Sequence, residues 1–291
     1  MNNKKGFAGI LVLLFLYATP GFAQAAAEKK SLPIPEDLVK KVEQSAQLGL
    51  ALYQIDQASA IGTDVLRAKY GNSVFEGLGG YLTFRETNEA GEPSWLVIFY
   101  TRESTPQILH KIHIPFNGDS PEVETLDPPQ LARGQTLILI LARKNAINNA
   151  GPYRQSINPV LLPADIIGEE GILVELLAST TKPNVAVLGK HYRVIVSEDG
   201  KEVRSITPLS NGILEIPTTS EKLVEVHGLY ATHLVTDYPV ETHVFASLLH
   251  KIPIHVKTSR GIWLVDGIKI TMVPEEEYPQ NRIKSENPEQ E

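Results

Sequence analysis

His233 and His243, with Glu241 between them in sequence, are the side chains of this chain whose types and spacing best suit chemistry. They lie in "ATHLVTDYPVETHVFASLLHKIPIHVK" (231–257), which holds four of the chain's eight histidines. Imidazole and carboxylate groups are zinc ligands, and a three-ligand site leaves one position for a water that becomes a nucleophile. His191, which opens a strand after "LGK", is a candidate fourth ligand, and Asp237 is the nearest general-base candidate.

Strand alternation suggests how these groups would meet. If Asp237–Pro239 is a three-residue loop, Thr236 pairs with Val240 and His233 lies opposite His243. Glu241 and His243, two residues apart, then share a face. The same stretch also carries a helical pattern, with Asp237 as cap and Val240, Val244, Phe245 and Leu248 as an apolar stripe. The abundance of Val, Thr and Phe favours strand. The other histidines separate. His110 shares a strand face with Ile108, Ile112 and Ile114, and His113 lies with Lys111 on the other face. His255 alternates with Lys251 and Lys257 and is expected on a solvated face. His227 and His250 read as loop and turn.

Other chemistries leave no mark. There is no cysteine, which excludes thiol nucleophiles, disulfides and a lipid-modified N-terminal cysteine. No G-x-S-x-G, H-E-x-x-H, P-loop or G-x-G-x-x-G pattern occurs. Trp95 and Trp263 fall in strand patterns and read as core packing rather than a sugar platform.

The elements that must position the histidines follow from periodicity. A helical signal opens at "LPIPEDLVKKVEQ", with Pro35 in its first turn, runs to about Tyr70, and reads as two helices, or one kinked near Gly62. "LGGYLTFRE", "SWLVIFYTR" and "QILHKIHIPF" read as three strands of a meander. "NGDSPEVETLDPPQ" (117–130) reads as a Pro- and acid-rich connection, with Asp127 capping a helix whose first position is Pro128. That helix, "PQLARGQTLILILARKNAINNA", precedes the strands "NPVLLPA", "GILVELLAST", "HYRVIVSEDGKEVRSITPLS" and "GILEIP". A last meander covers "LYATHLVT", "VETHVFASL", "PIHVKT" and "GIWLVDGIKITMV". The fold expected is α+β, with helices packed on antiparallel sheets. It divides into a signal peptide (1–23), a first helix-plus-sheet unit (24–116), a second (117–273) and an acidic, disordered tail (274–291).

The leader has Lys4 and Lys5, an apolar run over 7–18, Pro20, and small residues Gly21 and Ala23 at the −3 and −1 positions, so cleavage is expected after Ala23. Removing 23 of 291 residues takes the net charge from −7 to −9, because both lysines leave. An acidic chain without clustered Lys and Arg is a poor nucleic-acid partner. The mature chain is expected to be periplasmic or secreted, without stable membrane insertion. Its expected role is a non-catalytic cell-envelope binding or assembly module for a protein, peptide or lipid, with no cofactor. The alternative is a zinc-dependent hydrolase or metal-binding protein using His233, Glu241, His243 and His191.

Overall fold

A computed structural model describes residues 31–87, 91–151, 156–219 and 228–274. The leader, His227 and the tail beyond residue 274 lie outside the described residues. The fold is α+β: among the described residues there are three α-helices, and four sheets in which the strands run antiparallel with one exception.

The first helix, α1, runs unbroken over Glu36–Tyr70. At 1.5 Å per residue its 35 residues span about 52 Å. Glu36 and Asp37 sit in the first turn and Arg67 and Lys69 in the last, each sign suited to the helix dipole. The break expected near Gly62 is absent. Gly62 serves packing instead: a Cβ there would stand 2.8 Å from Val97 Cγ2. No helix among the described residues is long and apolar enough to cross a membrane.

Strands β1 (Leu78–Thr87), β2 (Pro93–Thr101), β3 (Gln107–Pro115) and β4 (Glu122–Leu131) form an antiparallel meander in that order. The Pro- and acid-rich stretch expected to be a connection thus contains a fourth strand, so a boundary at residue 117 falls ahead of a strand of the first sheet. As an edge strand, β4 tolerates Pro128 and Pro129, which cannot donate to a ladder on both sides. Asp127 therefore lies within a strand, and the next helix, α2, begins later, at Gly134–Asn149.

The second sheet orders β5 (Ser156–Pro163), β6 (Ile172–Ser179), β8 (Tyr192–Val196) and β9 (Val203–Pro208). The short β7 (Val185–Gly189), not evident from the sequence pattern, pairs instead with β10 (Ile213–Pro217). The last sheet orders β11 (Leu229–Thr232), β12 (Ile254–Thr258), β13 (Gly261–Asp266) and β14 (Lys269–Val273).

Between β11 and β12 lies the main correction. "VETHVFASL" is not a strand: residues Glu241–His250 form helix α3. Because a helix returns the chain, β11 and β12 pair in parallel, Tyr230 beside His255. His255 accordingly sits in an inner strand, buried and stacked on Tyr230 at 4.8 Å, not on a solvated face. Asp237 does not cap α3; its backbone carbonyl accepts from Thr258 Oγ1, and its carboxylate accepts from Ser259. The N-cap is Val240, whose N–H donates to His243 Nδ1 at 3.1 Å. That is the reciprocal half of a capping box, with imidazole in the role usually played by Glu or Gln.

Helix α1 joins the cores. Leu38 and Val42 pack into the cluster around Trp263, Leu48 and Leu52 into that of β5 and β6, and Ala58 and Leu66 into that of the first sheet. Helices α1 and α3 meet at Gly49, where an added Cβ would stand 2.4 Å from Val244 Cβ and 2.7 Å from the Glu241 carbonyl. In a free helix Gly→Ala adds about 1 kcal/mol of stability. Here the clash with backbone and a fully buried Val244 decides the sign, and Gly49→Ala is expected to cost about 1–3 kcal/mol in denaturant unfolding. A stabilised variant would show that the two helices do not approach this closely.

Candidate functional site

The N-terminus of α3 gathers two groups of side chains of different chemistry. The first is ionic. Glu175 interrupts the otherwise apolar, wholly buried centre of β6, and Arg193 sits directly across from it on β8. Arg193 Nε donates to Glu175 Oε1 at 3.0 Å, and its Nη2 donates to Glu241 Oε1 at 2.5 Å. Both carboxyls are fully buried, so one guanidinium clamps two of them away from water. Two buried carboxylates against one cation leave an uncompensated charge. Burial first, and then the proximity of Glu241, push the Glu175 carboxyl well above its usual range, toward the protonated form. Burial works against the Arg193 charge, but the two carboxyls more than offset it and raise its pKa.

The second group is the imidazoles. His233 follows β11, and its ring meets that of His243 edge to face with centroids 4.9 Å apart. Hydrogen bonds assign the tautomers. The Val240 N–H donates to His243 Nδ1, which therefore carries no proton, so the proton of the neutral ring is on Nε2. Thr236 Oγ1 donates its only proton to the Tyr238 carbonyl at 2.6 Å, so it accepts from His233 Nε2–H at 2.9 Å. His191 accepts the Ala178 N–H on Nδ1 at 3.0 Å, and its Nε2 finds no hydrogen-bond partner of normal geometry among the described residues. All three rings are held neutral. Burial lowers His191 and His233 to about 4, and lowers His243 to about 3 with His233 and His191 adding to the penalty on its charge.

Sequence reasoning thus placed His233 beside His243, although by a hairpin that does not exist. It placed Glu241 on the same face, whereas the helix turns that carboxylate onto Arg193. His191 is buried against β6. Among the described residues, no group of three or more His, Asp or Glu side chains is placed to share a metal ion. Glu175 and Arg193 went unremarked, yet a lone charge inside "ILVELLA" and another inside "HYRVIV" are legible signals of a buried pair.

Two hollows flank this region. The larger, about 230 Å³, is lined by His233, His243 and Thr242 together with Leu188, Leu209 and Leu214. Among the described residues, no Asp, Glu, Lys or Arg lines it. The smaller, about 90 Å³, contains Arg193, Glu241, Gln44 and Tyr238. Leu209 and Val235 belong to both walls.

No family model matches this chain, and neither does any curated protein or solved structure compared with it.

The two groups give opposite pH dependences. An imidazole whose pKa is lower folded than unfolded contributes stability that is complete above about 6.5 and is lost as pH falls toward 4. The slope approaches about 1.4 kcal/mol per pH unit for each such ring. Glu175, raised on folding, contributes in the other sense: stability present below its unfolded value drains away as pH rises through its folded one. Urea unfolding from pH 4 to 8 is expected to show a steep acid limb, shallower in His191→Gln. It should also show a decline at higher pH that Glu175→Gln removes. An unchanged alkaline limb in Glu175→Gln would mean that Glu175 is ionised in the native protein.

Proposed function

We propose that this chain is an exported, non-catalytic binding module of the cell envelope, and that the hollow between α3 and the β7–β10 pair is where it takes its ligand. The observation that carries the reading is a concavity without Asp, Glu, Lys or Arg among the described residues that line it, and with an apolar mouth. Ile213, Leu214 and Val235 are exposed at its edge, and Leu234 is 75% exposed beside them. Soluble proteins seldom leave several large aliphatic groups together at the rim of a pocket without a use for them. The walls are also well supported: His243 caps α3, Thr236 holds His233, and Leu188 pairs across the ladder with Leu214. A zinc-hydrolase site would need Glu241 on the imidazoles. Arg193 holds that carboxylate instead, so binding is the better-supported reading. The leader pattern ending at Ala23 supports an envelope location.

Two measurements test this. Cells expressing the chain with its leader are fractionated, and the protein is expected outside the cytoplasm with Gln24 as its first residue. The same protein, purified natively from the envelope, is examined by mass spectrometry before and after denaturation. A small molecule should be released by the wild type and not by Leu214→Trp, which narrows the mouth at a half-exposed position tolerant of change. Cytoplasmic, uncleaved protein would sink the export part. An empty wild type, with no thermal shift from envelope extracts, would sink the binding part.

A further inference from the structure

We infer that the hollow between α3 and the β7–β10 pair selects a small uncharged molecule with an aliphatic body and one hydroxyl or carboxamide, which the two imidazoles grip through one donated and one accepted hydrogen bond. This deepens the binding reading and rests on it.

The ring chemistry sets the polar end. Val240 occupies His243 Nδ1, which leaves Nε2–H as a donor with no hydrogen bond among the described residues. Thr236 takes the proton of His233 Nε2, which leaves Nδ1 as a bare acceptor, again without a hydrogen bond among them. The rings sit edge to face at 4.9 Å in the same wall. A donor on one ring and an acceptor on its neighbour suit a group that both accepts and donates, and a hydroxyl or a primary amide does both. A carboxylate would satisfy only the donor and place its second oxygen against a lone pair. An ammonium would satisfy only the acceptor.

The walls set the charge and the body. With no Asp, Glu, Lys or Arg among the described residues around the hollow, a charged ligand would lose its hydration and gain no counter-ion from them. Glu241 and Arg193, beside the smaller hollow, are spent on each other and on Glu175. Leu188, Leu209 and Leu214 line the same hollow and offer it aliphatic surface. Since a cavity of about 150 Å³ accepts benzene, one of about 230 Å³ accepts roughly ten non-hydrogen atoms.

The probes are heptanamide, heptan-1-ol, heptanoate and heptylamine, titrated into the purified protein at pH 7.5 by calorimetry. Imidazole ¹⁵N resonances are followed in the same samples. Heptanamide and heptanol are expected to bind at least ten-fold tighter than the acid or the amine. Heptanamide should shift Nε2 of His243 and Nδ1 of His233, and leave His113 unmoved. Leu214→Trp should abolish binding while keeping the wild-type melting temperature. His243→Phe, if folded, should lose the preference for amide over acid. The wild-type ring shifts carry the test if that variant does not fold. Equal or tighter binding of heptanoate or heptylamine, blocked by Leu214→Trp, would overturn the ligand class and leave the binding reading intact. No binding by any probe, or binding without a shift at either ring, would also overturn the inference. A ligand recovered from the natively purified protein would then still support the broader reading.

Discussion

The close approach of α1 and α3 at Gly49 is the contact on which the site depends. Helix axes normally lie 8–10 Å apart, set by the side chains between them. A glycine facing Val244 and the Glu241 carbonyl lets the backbones come closer than any side chain would permit. That seats α3 with Phe245 in the cluster of β5 and β6, and Val244 in the cluster around Trp263. The first turn of α3 is thereby held against both the second and last sheets, and Glu241 is delivered to Arg193. Without that seat, neither the ion cluster nor the imidazole wall would have a fixed position.

The ion cluster and the imidazoles meet the same constraint in different ways. Each is a polar group taken out of water, which costs several kcal/mol unless it is paired or neutral. Arg193 pairs with two carboxyls, and the surplus negative charge is relieved by Glu175 moving toward its protonated form. His191, His233 and His243 have no ion-pair partner among the described residues and stay neutral, with backbone N–H groups or Thr236 fixing their tautomers. A neutral imidazole wall is therefore a consequence of where the carboxylates were spent. Had Glu241 faced His243, its carboxylate would have favoured the imidazolium against the cost of burial, and an ionisable carboxyl would stand beside the hollow.

The sheets were largely legible because alternation and turn chemistry agree there. Strand β3 shows a clear period of two, β2 is a short apolar run bounded by turn residues, the Glu198–Gly200 turn separates β8 from β9, and Asp266–Gly267 separates β13 from β14. β4 was hidden because its prolines argue against strand wherever both edges are paired, and sequence does not say which strand is the edge. β7 is five residues long and pairs far along the chain with β10, so no local turn announces it. α3 was misread because a run of about ten residues containing Val, Thr and Phe fits both periods. Tertiary packing decided the matter: only a helix lays Val244 into the gap that Gly49 leaves. His255 misled for a related reason, since β12 is buried along nearly its whole length and alternation no longer separates solvent from core.

That one choice between strand and helix also fixes the chemistry of the site. In a strand, residues two apart point the same way, so Glu241 and His243 would form a single acidic–basic face suited to a metal. In a helix of 3.6 residues per turn they diverge by about 200°. Glu241 then lines the smaller hollow with Arg193, while His243 lines the larger one with His233. The two-residue spacing that looked like a ligand pair is what keeps a carboxylate out of the larger hollow. The same histidines that suggested zinc on a hairpin therefore support, on a helix, recognition of an uncharged ligand through hydrogen bonds.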